Sequence, residues 1–204
     1  MLRDAALGRP PAPDLETELM PPTAGAVAAV VAFSGHVVIA ADLDSDWVAT
    51  KCPPGDLMAP IRPEFITEVM KRCQCRSFST TLTFALPAGA DMAVDLPVVP
   101  APDRVSERIK RSHRVRTDVR VYEAMNGGAL LVVGRGLAGR WEAGFEVDPP
   151  LRGQGIGRAL AATARTLVPA GEPLFLQVNP GNIASLRAVL GARFRPVASE
   201  VLLW

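Results

Sequence analysis

The sequence predicts a mixed α/β (α+β) fold, a mostly antiparallel sheet flanked by helices, and three observations carry that expectation. Two pairs of β-rich apolar runs are joined by tight turn signals, Ser34-Gly35 and Met125-Asn126-Gly127-Gly128, which read as hairpins. A glycine-rich turn, Arg152 to Gly157, stands between a strand-like run and a helix-like one. The apolar run Leu174 to Val178 after that helix is short enough for a fully buried parallel strand.

The elements follow in order. Pro10, Pro11, Pro13, Pro21 and Pro22 among polar residues give residues 1–24 a composition that buries little, read as a disordered, Pro-rich tail. Residues 25–100 read as an N-terminal α/β subdomain: strands Ala26–Phe33 and His36–Ala41, a short helix Asp44–Lys51, a helix Pro63–Cys73 with proline in its first turn, and a strand Phe78–Leu86. The stretch Pro87–Asp103, proline-rich and without helical period, is the candidate boundary, near residue 100. Residues 103–204 then carry a basic helix Arg104–His113, strands Val119–Ala124, Ala129–Val133 and Arg140–Val147, a helix with Ile156, Leu160, Ala164 and Leu167 on one face, and the strand Leu174–Val178. A helix carrying Ile183, Leu186 and Leu190 and two short terminal strands, Phe194–Val197 and Glu200–Trp204, complete the order.

Composition narrows the function. With 204 residues, nearly half of them apolar, the chain can build a substantial core. Its 22 basic and 21 acidic residues leave a net charge of +1, no overall field for nucleic acid or an anionic membrane. The longest apolar run, Ala26–Phe33, is far short of the roughly 20 residues that span a bilayer, and the N-terminus has no apolar core of a leader, so the expectation is a cytoplasmic protein. Three cysteines, Cys52, Cys73 and Cys75, lack the spacing of a zinc site and read as half-buried thiols in a reducing compartment, with no metal expected. Heavy use of Ala, Arg, Pro and Gly points to a GC-rich bacterial genome. The basic run from Arg104 to Arg120 is interleaved with Asp103, Glu107 and Asp118 and reads as a solvated face, with one arginine available to a ribose phosphate or an acidic substrate. His36 and His113 are too isolated to mark a site.

The chemistry sits at Arg152-Gly153-Gln154-Gly155-Ile156-Gly157. Glycines between a strand and a helix N-terminus let backbone N–H groups approach an anion, the helix dipole favours negative charge there, and Arg152 and Arg158 add donors around a diphosphate. A dinucleotide fingerprint requires a third glycine where Arg158 stands, and no Gly-Lys-Ser/Thr of a nucleoside-triphosphate loop is present.

The segment resembles the pyrophosphate loop of the GNAT superfamily of N-acetyltransferases, Arg/Gln-x-x-Gly-x-Gly/Ala after the fourth core strand, and Arg152 to Gly157 match it at every position. Phe145-Glu146-Val147-Asp148-Pro149 is similar to that family's strand end, and Asn182-Ile183-Ala184-Ser185-Leu186 to the Asn-x-x-Ala/Ser stretch opening its last helix. The resemblance covers roughly residues 103–204. It implies the GNAT fold and acetyl-coenzyme A as co-substrate, with the pantetheine arm beside Phe145 to Val147. It implies the diphosphate on the N–H groups of Gly153, Gln154, Gly155, Ile156, Gly157 and Arg158, beside Arg152. Asn182 then either approaches the arm or caps its own helix, with Ser185 one turn on.

An amine must be neutral to attack a thioester, and a lysine amine has a pKa of about 10.4, so a base is required. Glu142 and Glu146, on one face of the strand, are the candidates, Glu142 preferred as the deeper. The family's acid, a tyrosine in the last helix, aligns with Val189, and its Gly-Phe ending is altered, with Arg193 before Phe194; the thiolate would take its proton from water or from a residue such as Tyr122 or Ser185. The resemblance also implies a backbone N–H near Val147 for the oxyanion. The expected activity is acyl transfer to a primary amine of a protein or small molecule, by a monomer or homodimer, the alternative being a non-catalytic acyl-coenzyme-A sensor. Residues 25–100 faintly echo the second half, read as a degenerate half-repeat that shapes the acceptor cleft.

Overall fold

The computed structural model describes residues 1–89 and 96–204. The chain forms two compact units, one of residues 1–82 with 197–204 and the other of residues 83–196.

In the first unit, α1 (Leu2–Ala6), β1 (Glu16–Met20), β2 (Ala28–Phe33), β3 (His36–Ala40), α2 (Ser45–Lys51), α3 (Pro63–Arg72) and the start of β4 (Phe78–Leu86) follow in order. The first hairpin forms where expected, β2 antiparallel to β3 with Phe33 opposite His36, and Gly35 takes the left-handed turn position at φ 81°. The Asp44 carboxylate accepts the Trp47 N–H at 2.7 Å and caps α2. Val30, Val37, Ile39, Phe65 and Val69 form the core, against which Trp47 stacks on Phe65 at 5.5 Å. Cys52 is buried, and burial, with Asp56 second, pushes its thiol up to about 11; Cys73 and Cys75 are half-buried free thiols.

Residues 1–24, read from composition as a disordered tail, contain α1 and β1. β1 runs parallel to β3 from Glu16 opposite His36 to Met20 opposite Ala40. An edge strand needs backbone pairing more than apolar composition, and local contacts fix this one. Asp14 accepts the Glu16 N–H at 3.0 Å and reaches Nδ1 of buried His36 at 2.9 Å, while Leu19 packs on the core.

The second unit holds the end of β4, then β5 (Val98–Pro100), α4 (Glu107–Val115), β6 (Thr117–Ala124), β7 (Ala129–Arg135), β8 (Trp141–Val147), α5 (Ile156–Ala164), β9 (Leu174–Val178), α6 (Ile183–Gly191) and the start of β10 (Arg195–Leu203). Within it the strand order is β9-β8-β7-β6-β5, with β5 to β8 antiparallel in succession and β8–β9 parallel. The second hairpin turns through Gly127 and Gly128, both at positive φ. Of the connection Pro87–Asp103, residues 90–95 lie outside the described residues and Val98–Pro100 pair with β6.

The two short terminal strands expected at the end of the chain are one, β10, because nothing between Val197 and Ser199 takes the backbone out of the extended region and Pro196 sits near its start. Its last residues pair antiparallel with β2, from Ser199 opposite Ala32 to Leu203 opposite Ala28, completing the order β1-β3-β2-β10 in the first unit. The units therefore divide inside β4 and β10, whereas composition placed the division near residue 100.

Period-two alternation gives the second unit two working faces. Leu130 and Val132 pack with Ile109 of α4 and Val121, while fully buried Leu131 and Val133 point to the opposite face. No helix among the described residues is long and apolar enough to cross a membrane.

If β1 is an integral strand, Leu19→Ala lowers stability by about 1 kcal/mol, a fraction of what full burial of a leucine contributes, and the melting temperature by about 2–4 °C. A disordered tail would leave the thermal melt of that variant unchanged.

Candidate functional site

Strand β8 is paired along its whole length on one side only. β7 accompanies it from Trp141 opposite Arg135 to Val147 opposite Ala129, but pairing with β9 stops at Ala143 opposite Leu176. Beyond that point β8 and β9 part. The Asp148 N–H donates to the Gly128 carbonyl at 2.9 Å, so by alternation Phe145 and Val147 direct their backbone groups to the open side. Among the described residues no strand pairs with them there. The Val147 carbonyl accepts Arg152 Nε at 2.9 Å, which ties the loop to the strand end.

The loop follows at once. Gly153 and Gly155 have φ of 80° and 82°, the left-handed region, and Gly155 is the N-cap of α5 with no side-chain cap bond. The backbone N–H groups of Gly153, Gln154, Gly155, Ile156 and Gly157 make no hydrogen bond among the described residues; the next, Arg158, donates to the Gly155 carbonyl at 3.0 Å. Free amides at a helix N-terminus form an anion site, and the dipole adds to it. Gly157 fits because it has no side chain: a Cβ there would lie 3.1 Å from Cε2 of Phe145 and 3.5 Å from Cβ of Ala188. The Gln154 side chain donates to the Pro150 carbonyl at 3.2 Å, and the Arg158 stem lies against Gly191.

At α6, Asn182 Oδ1 accepts the Ser185 N–H at 3.0 Å, so this side chain is an N-cap, one of its two expected roles. Ser185 takes part through its backbone. Val189 is fully buried, and Tyr122, opposite Leu131, lies on the face of the sheet away from Glu142.

Glu142, expected as the deeper candidate base, is not free to act as one. It is 2% exposed and accepts Arg116 Nε at 2.8 Å, Arg140 Nε at 2.9 Å, Gln177 Nε2 at 2.9 Å and the Leu137 N–H at 3.2 Å. Burial alone would raise its pKa, but the charges of Arg140 and Arg116 and their hydrogen bonds outweigh that and hold it below the ordinary glutamate value. A Cβ on Gly136 would fall inside this carboxylate, so the glycine makes room for it. Arg140 also lies over the Phe175 ring at 4.8 Å. The cluster is a structural centre under the strand.

Glu146, four residues on and on the same face, is exposed at the open end of β8, with Arg108 Nε 3.8 Å from Oε2. Sequence reasoning read the Arg104–Arg120 run as a solvated face and so missed Arg108 and Arg116. Arg104 and Lys110 fit that reading, paired at the surface to Glu123 and Glu107, but Arg116, its side chain only 10% exposed, is turned inward against Glu142. The signal was spacing for Arg108 and Ser112, one turn apart on α4, while Arg116 follows the helix directly as its extended C-cap. Among the described residues no group of three His, Cys, Asp or Glu side chains is placed to hold a metal.

Among solved structures, the chain is similar to a GNAT-family acetyltransferase from Colwellia psychrerythraea (14% identity, covering 67% of this chain and 60% of that one, TM-score 0.40). It is also similar to a GCN5-related N-acetyltransferase from Kribbella flavida (17% identity, 68% of this chain and 62% of that one, TM-score 0.42). A third is a GCN5-related N-acetyltransferase from Sphaerobacter thermophilus (12% identity, 69% of this chain and 55% of that one, TM-score 0.43). The chain thus spans between 55% and 62% of the length of these three. No protein-family model matches it, and no curated protein does.

Glu142→Gln strands two guanidiniums around a neutral amide and should cost about 3–5 kcal/mol of stability by denaturant titration. The wild-type contribution has a pH signature. A carboxylate depressed in the folded state stabilises fully above the ordinary glutamate pKa and is lost as pH falls below it through the folded value, so acid destabilisation should be shallower in the variant.

Proposed function

We propose that this protein is an N-acetyltransferase that passes an acetyl group from acetyl-coenzyme A directly to a primary amine. The observation that carries the reading is the juxtaposition, within one unit, of an open strand edge at Phe145 to Val147 with free amides from Gly153 to Gly157. An extended ligand arm bearing amides pairs with a strand edge as an added strand would, and a diphosphate suits helix-start amides beside Arg152 and Arg158. Coenzyme A has both parts in that order, and the glycines leave the cradle clear of side chains.

The remaining roles belong to this chain's residues. Glu146, exposed at the strand end, accepts the ammonium proton directly or through one water; the neutral amine forms the new N–C bond as the C–S bond breaks, and the proton that the new amide nitrogen sheds passes to solvent. The Val147 N–H, directed to the open edge, donates to the acyl oxygen as charge develops. The thiolate takes its proton from solvent, since Val189 fills the α6 position where the family's tyrosine stands. The same apolar, buried Val189 favours one second reading, an acyl-coenzyme-A sensor without turnover.

Turnover separates the two. Acetyl-coenzyme A should be consumed with a panel of primary amines, acceptors being identified by mass spectrometry of lysate proteins and metabolites. Glu146→Gln should lower kcat about 10²-fold or more at unchanged coenzyme A affinity. Gly157→Val should weaken that affinity about tenfold or more by calorimetry, equal to about 1.4 kcal/mol. Binding with no turnover by any amine would favour the sensor.

A further inference from the structure

Over the face of β8 that carries Gly144 stands a partly exposed cation with no hydrogen-bond partner among the described residues. A Cβ on Gly144 would lie 3.1 Å from Nη1 of Arg108 and 3.6 Å from Nη1 of Arg116, so both guanidiniums stand over the strand where it loses its neighbour. Arg116 is occupied: its Nε binds Glu142, its Nη2 donates to Gln177 Oε1 at 3.2 Å, and its Nη1 approaches Ser112 Oγ at 3.5 Å. Arg108 makes no hydrogen bond among the described residues. Its one ion contact among those residues is Nε to Glu146 Oε2, at 3.8 Å too long for a hydrogen bond. Its side chain keeps 41% of its surface exposed, so the crowding of its inner atoms, followed by Arg116 and Arg111, disfavours its charge only in part, with Glu146 opposing them. Arg108, Arg116 and Arg140 together exceed Glu142 and Glu146 by one positive charge, three against two.

We propose that Arg108 binds a carboxylate on the acceptor, so that the acceptor is an amino-acid-type molecule with its primary amine close to a free carboxylate. This rests on the acetyltransferase reading and names the substrate class of that same site. A guanidinium offers a planar fork of donors that matches a carboxylate with two parallel hydrogen bonds, which Glu146 at its present distance does not complete. The two ends of an amino acid suit the pair, its ammonium towards Glu146 and its carboxylate towards Arg108, and transfer of the ammonium proton to Glu146 leaves the nucleophile. The cation belongs to the acceptor rather than to the coenzyme because it lies on the opposite face of β8 from the phosphate cradle: Gly157 abuts Phe145, whose side chain points away from the face of Gly144. Positive potential from Arg108 and Arg116 also favours the neutral amine over the ammonium.

The test compares amino acids with their carboxamides, identical except for the charge, in wild type, Arg108→Gln and Arg108→Lys, with coenzyme A affinity measured in parallel by calorimetry. Wild type should prefer the acid about tenfold or more in kcat/KM, the worth of one charge-assisted hydrogen bond. Arg108→Gln should abolish the preference through the acceptor KM while the KM for acetyl-coenzyme A stays within about twofold, and Arg108→Lys should restore part of it. Equal use of acid and amide by wild type, a preference that survives Arg108→Gln, or a raised KM for acetyl-coenzyme A would overturn the proposal. Coenzyme A binding without acetylation of any acid would overturn it too and leave the cradle standing. Failure of coenzyme A to bind would remove the acetyltransferase reading and this one together.

Discussion

The site depends on one interruption: β8 keeps β7 to its end but loses β9 after Ala143. Buried backbone groups must find partners, so a strand edge left open inside a sheet is a place where something else pairs. The end of β8 leads directly into the loop at Gly153 to Gly157, whose amides are also without acceptors among the described residues. Two sets of backbone donors without acceptors among the described residues thus lie in succession, joined by Arg152 on the Val147 carbonyl, as the proposed coenzyme A site requires.

Below that surface the chain spends its charges on architecture. Glu142 sits where β8 is still paired to β9, and its carboxylate draws together α4 through Arg116, the start of β8 through Arg140 and β9 through Gln177. A carboxylate held by two guanidiniums resists protonation, which makes it a poor base and a firm anchor. It holds β9 against β8 just before the two separate, so the opening begins at a defined residue. Four residues further along the strand, Glu146 is exposed and, among the described residues, has no such partner apart from Arg108. Two glutamates on one strand face thus differ in burial and in partners because one lies before the parting and the other after it.

Much of the fold was legible because it rests on local patterns. Hairpins at Ser34-Gly35 and Met125–Gly128, the helix caps and the parallel strand Leu174–Val178 follow from turn chemistry and periodicity, which act within a few residues. What was not legible depends on partners distant in sequence. The strand Glu16–Met20 is made by its pairing with β3, and the last residues of β10 by their pairing with β2, which composition does not reveal. The fate of Glu142 was hidden likewise, because its ligands come from positions 116, 137, 140 and 177. The glycine missing from the end of α6 is a milder case: Arg193 adopts φ 62°, so the left-handed turn survives with a residue that bears strain there.

The most direct measurement is a titration of the isotopically labelled protein with coenzyme A, followed through its backbone amide resonances. Gly153, Gln154, Gly155, Ile156 and Gly157 should shift together and saturate, with Phe145 and Val147 following the pantetheine arm. Saturable binding that leaves those amides unmoved, or no binding at all, would contradict it.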